Sequence, residues 1–342
     1  MAMTPDNSNA AAETGGFGLL FDAAERLGLQ ARVLDPAFGY LWELSDGRGH
    51  SQAIVGLRIP LNLAAASHLA SDKHYASMVL AGAGFRTPRT ERALAPRAFG
   101  DTSLAERAGV RPAVEFARHS GYPLIVKPNR LSHGRGVARV ESEAELLDAV
   151  QKVFDLDSIA LVQELIEGTE YRLEFLDGEY LVGYERAPTA VTGDGIRSVG
   201  ELLRALDPRF TRDRFFERLQ RRGPLTRHLE ARGFGFDTIM PVGEPLPVEE
   251  TVLNLARGAT PVLLDELPTG WLEWAVRAGK VLGLRHFGLD FRHVPGEPIE
   301  RACVLEVNSN PAVSHLARAG YRERALESRM RLLSAVANAW SL

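Results

Sequence analysis

Cysteine, long apolar runs and an excess of charge of one sign are all scarce in this sequence. Cys303 is the single cysteine in 342 residues, which excludes a disulfide framework within the chain and any multi-cysteine metal site. No apolar run approaches the roughly 18–20 residues of a membrane-spanning helix. The formal net charge is −4, so no overall cationic field attracts nucleic acid. Residues 1–16 lack the basic start and apolar stretch of a signal peptide, and we expect a disordered tail on a cytoplasmic protein.

Hydrophobic residues make up 45% of the chain and charged residues 25%, which predicts two or three lobes with a sizeable core. Strand and helix patterns alternate along the chain, and turn signals at Asp46-Gly47 and Asp177-Gly178 predict two hairpins. The segment from Glu201 to Arg232 reads as an arginine-rich helical stretch with a solvated face. The expected lobes are 17–110 (N-terminal), 111–164 (central) and 165–342 (C-terminal).

A glycine loop follows an apolar strand that ends in a lysine. The strand Leu124 to Lys127 leads into Ser132-His133-Gly134-Arg135-Gly136, after which the chain returns as a strand. Glycines let backbone N–H groups approach phosphate oxygens closely, and the lysine adds a point charge. An ordinary hairpin with an exposed lysine is the alternative interpretation.

The strand Leu161 to Glu164 continues into Leu165-Ile166-Glu167-Gly168-Thr169-Glu170. An extended chain near Glu164 and Ile166 offers alternating backbone donors and acceptors to a nucleobase edge. Glu170 follows where ribose hydroxyls need an acceptor. The alternative is a half-buried strand that runs into a turn with solvated glutamates.

Three oxygen-bearing side chains lie on two apolar segments near the end of the chain. Glu306 and Asn308 alternate with Leu305 and Val307, so they share one face of a strand, and Asp290 ends a neighbouring apolar run. Oxygen ligands of this kind suit Mg²⁺ that is shared with substrate phosphates. The alternative is a polar strand edge that carries a salt bridge.

Taken in order, these segments resemble the ATP-grasp superfamily, and within it the ATP-grasp region of cyanophycin synthetases and bifunctional glutathione synthetases. The resemblance runs from about Ser71 to His315. Its motifs are Asp72-Lys73, Val126-Lys127-Pro128, Ser132-His133-Gly134-Arg135-Gly136-Val137, Gln163-Glu164, Glu170-Tyr171-Arg172-Leu173, Arg186-Ala187-Pro188, Asp290 and Glu306-Val307-Asn308.

The resemblance implies an α/β ATP-grasp fold of three lobes, with ATP bound between the central and C-terminal lobes. It assigns ATP contacts to Lys73, Lys127, His133, Gly134, Arg135, Gly136, Gln163, Glu164, Ile166 and Glu170. It assigns two Mg²⁺ ions, for which Mn²⁺ can substitute, to Asp290, Glu306 and Asn308. Arg186 stands near the γ-phosphate, and the expected substrate contacts are Arg172, Ser314 and His315. A homodimer is also expected from the resemblance, with no nucleic-acid or membrane partner.

Two departures from the family pattern affect the site. Gln163 stands where many relatives carry an acid. D-Alanine ligases have an arginine two residues before the first metal-binding acid, and this chain has Gly288 there. Another group must then stabilise the oxyanion, and Arg292 is the candidate.

The predicted activity is that of an ATP-dependent carboxylate–amine ligase. It forms an amide or peptide bond through an acyl-phosphate and releases ADP and phosphate, acting on amino acids or a small natural-product acid. The alternatives are an ATP-grasp kinase that stops at phosphorylation, or a nucleotide-binding module whose catalysis has decayed. The argument against decay is that the expected site residues are intact, namely Lys127, Asp290, Glu306 and Asn308.

Overall fold

The computed structural model describes residues 16–132, 134–187, 190–206, 224–247 and 260–340. The predicted tail before Gly16, His133 and the arginines between 207 and 223 lie outside the described residues. The chain divides into two compact units, of which the first is Met1–Glu185 with Pro261–Leu342 and the second is Arg186–Thr260.

A helix and a three-stranded antiparallel sheet open the first unit, followed by two more helices. These elements are α1 (Gly16–Arg26), β1 (Gln30–Val33), β2 (Leu41–Ser45), β3 (Ser51–Val55), α2 (Ala64–Ser71) and α3 (Lys73–Gly82). At the turn between β2 and β3, the Asp46 carboxylate accepts hydrogen bonds from the backbone N–H groups of Arg48 and His50. Gly47 has a φ of +69°, a conformation that favours glycine. The predicted first hairpin is therefore confirmed.

A four-stranded antiparallel sheet follows, with the strand order β4-β7-β5-β6. Its elements are β4 (Thr90–Leu94), α4 (Pro96–Phe99), α5 (Arg111–Ser120), β5 (Leu124–Pro128), β6 (Ala138–Val140), α6 (Glu143–Phe154) and β7 (Ile159–Glu164). Leu124 and Val126 belong to a core shared with α5 and α6, so Ile125 and Lys127 lie on the opposite face of β5. Because β4 precedes residue 111, the sheet of the predicted central lobe includes a strand from the predicted N-terminal lobe.

Two long strands, β8 (Thr169–Leu176) and β9 (Glu179–Ala187), then form a second hairpin. Asp177 and Gly178 make its turn, and both have a positive φ, +51° and +87°. Positive φ at both central residues is the geometry of the tight turns that suit the twist of antiparallel strands. The second predicted hairpin is confirmed as well.

The second unit has its own small core and a two-stranded sheet. Its elements are β10 (Ala190–Thr192), α7 (Val199–Leu206), α8 (Pro224–Ala231) and β11 (Pro245–Pro247). Ser198 and Glu201 exchange hydrogen bonds at the start of α7, in the manner of a capping box. Val199, Leu203 and Met240 are among the residues buried in the core of this unit. The predicted helical stretch from Glu201 to Arg232 thus appears as two helices, with the intervening part outside the described residues.

A five-stranded sheet, of order β12-β9-β8-β13-β14, carries the last part of the chain. The new elements are β12 (Thr260–Leu263), α9 (Trp271–Val281), β13 (His286–His293), β14 (Cys303–Asn308), α10 (Ser314–Arg318) and α11 (Arg322–Ala339). Leu173, Phe287 and Leu289 belong to a core with Trp274 of α9. Since side chains alternate along a strand, Arg172 and Asp290 lie on the opposite face of the sheet.

In the part of the chain that the structure describes, no helix combines the length and apolar character needed to cross a membrane.

Candidate active site

One row of side chains crosses three neighbouring strands of the five-stranded sheet. Asp290 on β13 lies opposite Arg172 on β8 and opposite Glu306 on β14. Directly opposed residues of antiparallel strands present their side chains on the same face. Strand register therefore brings together two carboxylates and a guanidinium from three distant parts of the chain.

Asn308 completes this row, because it follows Glu306 by two residues on β14. Its Nδ2 donates to Glu306 Oε1 at 2.9 Å and to Asp290 Oδ2 at 3.3 Å. Asp290 is only 2% exposed. Burying a carboxylate is costly unless charges or hydrogen bonds compensate it, and this site supplies both.

The donor set of Asp290, Glu306 and Asn308 fits a magnesium ion. Two carboxylates and an amide, which carries an oxygen as well as the donating nitrogen, are hard oxygen donors of the kind that Mg²⁺ shares with substrate phosphates. Among the described residues no group of three or more His, Cys, Asp or Glu side chains is arranged to hold a metal. The two carboxylates with the amide would therefore need phosphate oxygens or water to complete the shell.

Three cations surround the carboxylates. Arg172 bonds to Asp290 through Nε and Nη2, and its Nη2 lies 3.8 Å from Glu306 Oε1. Lys73 Nζ lies 3.7 Å from Glu306 Oε2 and donates to the backbone oxygen of Leu131 at 2.6 Å. Burial by itself would raise the pKa of Glu306, but Lys73, Lys127 and Arg172 together hold that pKa well below its usual range.

Lys127 lies near the end of β5, on the face opposite the core of its sheet. Burial, opposed by the negative charge of Glu306 and aided by the like charge of Lys73, lowers the pKa of Lys127 to about 8. A partly desolvated lysine beside a second lysine is poised to gain an anionic partner. Phosphate groups are the anions that such a pair binds.

The glycine loop forms a tight turn between β5 and β6. Gly134 and Gly136 have φ values of +65° and +75°, and the backbone N–H of Val137 donates to the oxygen of Gly134 at 3.3 Å. A Cβ at Gly136 would lie 2.9 Å from the side chain of Pro128, so no other residue fits without displacement. Arg135 is exposed, and His133 lies outside the described residues.

Gln163 and Glu164 lie on opposite faces of β7. Gln163 is opposite Ile125, which precedes Lys127 by two residues, so its side chain shares the face of Lys127. Glu164 lies on the other face, where its carboxylate bonds to the Arg89 guanidinium at 2.8 Å and to the Arg89 backbone N–H at 2.9 Å. Only the backbone of Glu164 remains for the predicted nucleobase contact.

Glu170, Ile166 and Arg292 meet one step further along the same face as the carboxylate row. Arg292 Nη1 donates to the backbone oxygen of Ile166 at 2.5 Å, and Nη2 donates to Glu170 Oε2 at 3.3 Å. Glu170 is 6% exposed and lies directly opposite Arg292. Arg292 therefore binds the predicted ribose residue, whereas Arg172 is the guanidinium that contacts Asp290.

The remaining predicted residues lie at the edges of this site or outside its unit. Ser314 and His315 begin α10, and the ring of His315 packs edge-on against Tyr184 at 5.0 Å between centroids. Arg186 lies near the end of β9 and belongs to the second unit. Cys303 is fully buried and burial raises its pKa to about 12, as expected of an inert thiol.

The structure also places residues here that sequence reasoning missed. Thr90 bonds to Gln163, and Asn129, which is 1% exposed, accepts at Oδ1 from the backbone N–H of His74 at the start of α3. Asn129 directly follows Val126-Lys127-Pro128, a position that hints at a role. Nothing in the sequence marks Thr90, because its relation to Gln163 depends on the pairing of β4 with β7.

Comparison with known proteins adds to this geometry. The D-ala D-ala ligase C-terminus family matches residues 105–189, a range that holds Lys127 and the glycine loop. A glutathione biosynthesis bifunctional protein GshAB from Listeria innocua is 28% identical over 252 residues, which cover 71% of this chain and 31% of the relative. A cyanophycin synthetase from Trichormus variabilis is 26% identical over 252 residues, covering 71% of this chain and 26% of the relative.

The crystal structure of a bifunctional glutathione synthetase from Pasteurella multocida has the same fold, with a TM-score of 0.52. It is 21% identical, and the match covers 87% of this chain and 40% of that one. This chain belongs to the ATP-grasp superfamily. The α/β ATP-grasp fold expected from the sequence is confirmed.

The ATP-grasp chain spans less than a third of the length of these curated relatives. The match to the D-ala D-ala ligase C-terminus family ends before Asp290 and Glu306. The roles of these carboxylates therefore rest on the site geometry and on the motif order.

Proposed function

We propose that this ATP-grasp protein is an ATP-dependent ligase that joins a carboxylate to an amine through an acyl-phosphate. The observation that carries the proposal is the row Arg172–Asp290–Glu306 with Asn308, bordered by Lys73 and Lys127. It combines oxygen ligands for magnesium with cations for phosphate. The similar proteins include a glutathione biosynthesis protein and a cyanophycin synthetase, and their names support the same class of reaction.

The first step is phosphoryl transfer. A carboxylate oxygen of the substrate attacks the γ-phosphorus of ATP, the bond from that phosphorus to the β–γ bridging oxygen breaks, and ADP leaves. Lys73 and Lys127 would hold the phosphate oxygens. Magnesium held by Asp290, Glu306 and Asn308 supplies charge neutralisation when it is bound. The turn at Gly134 and Gly136 would cover the phosphates and keep water from the acyl-phosphate.

The second step is amide formation. The amine nitrogen attacks the carbonyl carbon of the acyl-phosphate, an oxyanion forms, and the carbon–oxygen bond to phosphate breaks as phosphate leaves. The nitrogen then loses its extra proton to solvent. An amine that arrives in its neutral form needs no dedicated base.

We assign oxyanion stabilisation to Arg172 in place of Arg292. Arg172 belongs to the row and its Nη2 lies 3.8 Å from Glu306 Oε1, whereas Arg292 lies one step further along the strand, beside Glu170 and Ile166. A Cβ at Gly288 would lie 3.2 Å from Cδ of Arg172 and 2.8 Å from Cβ of Pro311, so the Arg172 stem passes where a side chain at 288 would project. An arginine from β8 can thus supply the charge that D-alanine ligases place two residues before the metal-binding acid.

Coupled substrate dependence tests the proposal. Purified protein is incubated with ATP, Mg²⁺ and pairs of amino acids or small carboxylic acids and amines, while ADP release and product mass are measured. We expect ADP release to require both an acid and an amine, with a product lighter than their sum by one water. Phosphorylated acid accumulating without any amine would instead identify a kinase, and nucleotide binding without turnover on any pair would identify a binding module.

The variant Glu306→Gln tests the proposed metal site. Loss of a residue that merely supports a metal ligand lowers activity by ~10–100-fold. We expect loss of the ligand itself, in Glu306→Gln, to lower the rate of ADP release by more than that. Glu300→Gln makes the same chemical change at an exposed glutamate just before β14 and should leave the rate unchanged. Equal rates for the two variants would rule out the proposed metal site.

A further inference from the structure

Gln163 is a buried amide on the nucleotide-facing side of β7. It is 5% exposed and lies directly opposite Thr90 on β4 and Ile125 on β5. A buried primary amide needs hydrogen-bond partners, and its two ends are not equivalent, since the nitrogen donates and the oxygen accepts. The orientation of this amide therefore decides what a neighbouring ligand meets.

A chain of two hydrogen bonds sets that orientation. The Thr90 hydroxyl donates to the backbone oxygen of Pro88 at 2.8 Å, and Gln163 Nε2 donates to Thr90 Oγ1 at 2.7 Å. A hydroxyl has one proton, so once that proton is directed to Pro88 the oxygen can only accept. The NH₂ end of Gln163 must then face Thr90, and the Oε1 end faces away from it.

The strand end that carries Thr90 is itself held in place. The backbone N–H of Arg89 donates to Glu164 Oε1 at 2.9 Å, and the backbone N–H of Glu164 donates to the oxygen of Arg89 at 3.2 Å. The Arg89 guanidinium adds a charged bond to the same carboxylate at 2.8 Å. Thr90 therefore has a defined position relative to Gln163. Within the described residues, no group donates a hydrogen bond to Gln163 Oε1.

We propose that Thr90 determines nucleobase specificity by fixing Gln163 with its carbonyl oxygen toward the base. An oxygen in that position accepts from the 6-amino group of adenine. It repels the 6-oxo group of hypoxanthine or guanine, because two acceptors then face each other. This inference rests on the proposed function in one respect, namely that the face of Lys127 binds a nucleotide.

The same argument explains why a glutamine can replace an acid here. A carboxylate presents an accepting oxygen in either orientation and needs no orienting partner, whereas an amide does. Thr90→Val removes the accepting oxygen at nearly constant volume. The amide can then turn its NH₂ group to the ligand and donate to a 6-oxo group.

Titration calorimetry of the full chain with Mg·ADP and Mg·IDP tests the proposal without any need for turnover. We expect the wild-type protein to prefer ADP, and Thr90→Val to reduce the ratio of the two affinities by about tenfold or more. Thr90→Ser keeps the hydroxyl and should keep the ratio. Thr102→Val is the matched control, since the Thr102 hydroxyl also donates to a backbone oxygen, that of Phe99, but at an exposed site.

A double variant separates orientation from general damage. In a Gln163→Glu background the orienting hydroxyl has no amide to act on, so adding Thr90→Val should leave the ADP/IDP ratio unchanged. Loss of both affinities in equal proportion in Thr90→Val, or the same fall in ratio with Gln163→Glu, would overturn the inference. A wild-type protein that binds neither nucleotide would refute the proposed function as well, whereas equal binding of both would refute only the specificity.

Discussion

At the scale of single residues, burial and neighbouring charges change the pKa of a cation in the site. Lys127 is the clearest case, because burial outweighs the attraction of Glu306, Glu170 and Asp290 and lowers its pKa to about 8. Lys73, a nearby like charge, adds to the lowering. Lys127 therefore binds its proton less tightly than an exposed lysine does, until an anion binds beside it.

The affinity for Mg·ADP should consequently fall above pH 8. Below its pKa Lys127 is charged before and after binding, so affinity is independent of its titration. Above that pH binding must take up a proton, and affinity decreases by at most about tenfold per pH unit. Calorimetry from pH 7 to 9.5, in buffers that differ in ionisation enthalpy, measures both the slope and the proton uptake.

Lys127→Arg is the control, since a guanidinium stays charged over this range. The variant should take up no proton on binding Mg·ADP near pH 8, the pKa of Lys127, whatever its absolute affinity for the nucleotide. A wild-type affinity that stays constant to pH 9.5 would show that Lys127 does not contact the phosphates.

At the scale of elements, a buried charged cluster ties β8, β13 and α11 together on the same face of the sheet as the site. Glu174 accepts hydrogen bonds from Arg329, from Ser328 at 3.3 Å and from His286 at 2.8 Å. Burial alone would raise the pKa of Glu174, but Arg329 and His286 hold it below its usual value. Arg329 also donates to the backbone oxygen of Pro311 at 3.2 Å, in the segment that joins β14 to the predicted substrate residues.

Glu174→Gln should destabilise the protein by ~3–5 kcal/mol, because it leaves Arg329 buried without a counter-charge. Glu179→Gln removes a carboxylate from another ion pair with α11, formed with Arg331, in which both side chains are more than half exposed. That exposed pair should contribute only ~0–1 kcal/mol. Chemical denaturation of the two variants measures the difference, and similar losses of stability would contradict the account.

Many of the helices and strands were predictable from the sequence, whereas the cluster of Glu174, His286 and Arg329 was not. Alternation along β5 and β14 and the turn signals at Asp46-Gly47 and Asp177-Gly178 are local patterns, and the structure follows them. His286, Glu174 and Arg329 carry no motif and lie far apart in sequence. Their association depends on strand register and on where α11 packs, neither of which periodicity specifies.

At the scale of the whole molecule, the proposed nucleotide site gathers residues from most of the length of the first unit. Lys73 starts α3, Lys127 lies one residue before the end of β5, and Asp290 and Glu306 lie near the end of the chain. A ligand that contacts all of them stabilises the folded state of the unit as a whole. The stabilisation at saturating ligand follows from mass action and needs no conformational change.

Thermal unfolding should therefore shift upward with Mg·ADP, by the equivalent of ~2.7 kcal/mol at a ligand concentration one hundred times its Kd. Without Mg²⁺, in EDTA, the shift should shrink markedly, because the carboxylates then repel the phosphates. Asp290→Asn should remove most of the difference between the two conditions. A shift that is the same with Mg²⁺ and with EDTA would argue against the magnesium site.

The sequence by itself determined strands such as β5 and β14, the two hairpin turns, the glycine loop and the motif order of an ATP-grasp protein. These features follow from side-chain alternation, glycine conformation and local spacing. Only the tertiary structure decided that Arg172, rather than Arg292, adjoins Asp290 over Gly288, and that Thr90 hydrogen-bonds to Gln163. The reason is physical: cross-strand neighbours are set by sheet register, which depends on the packing of the whole unit.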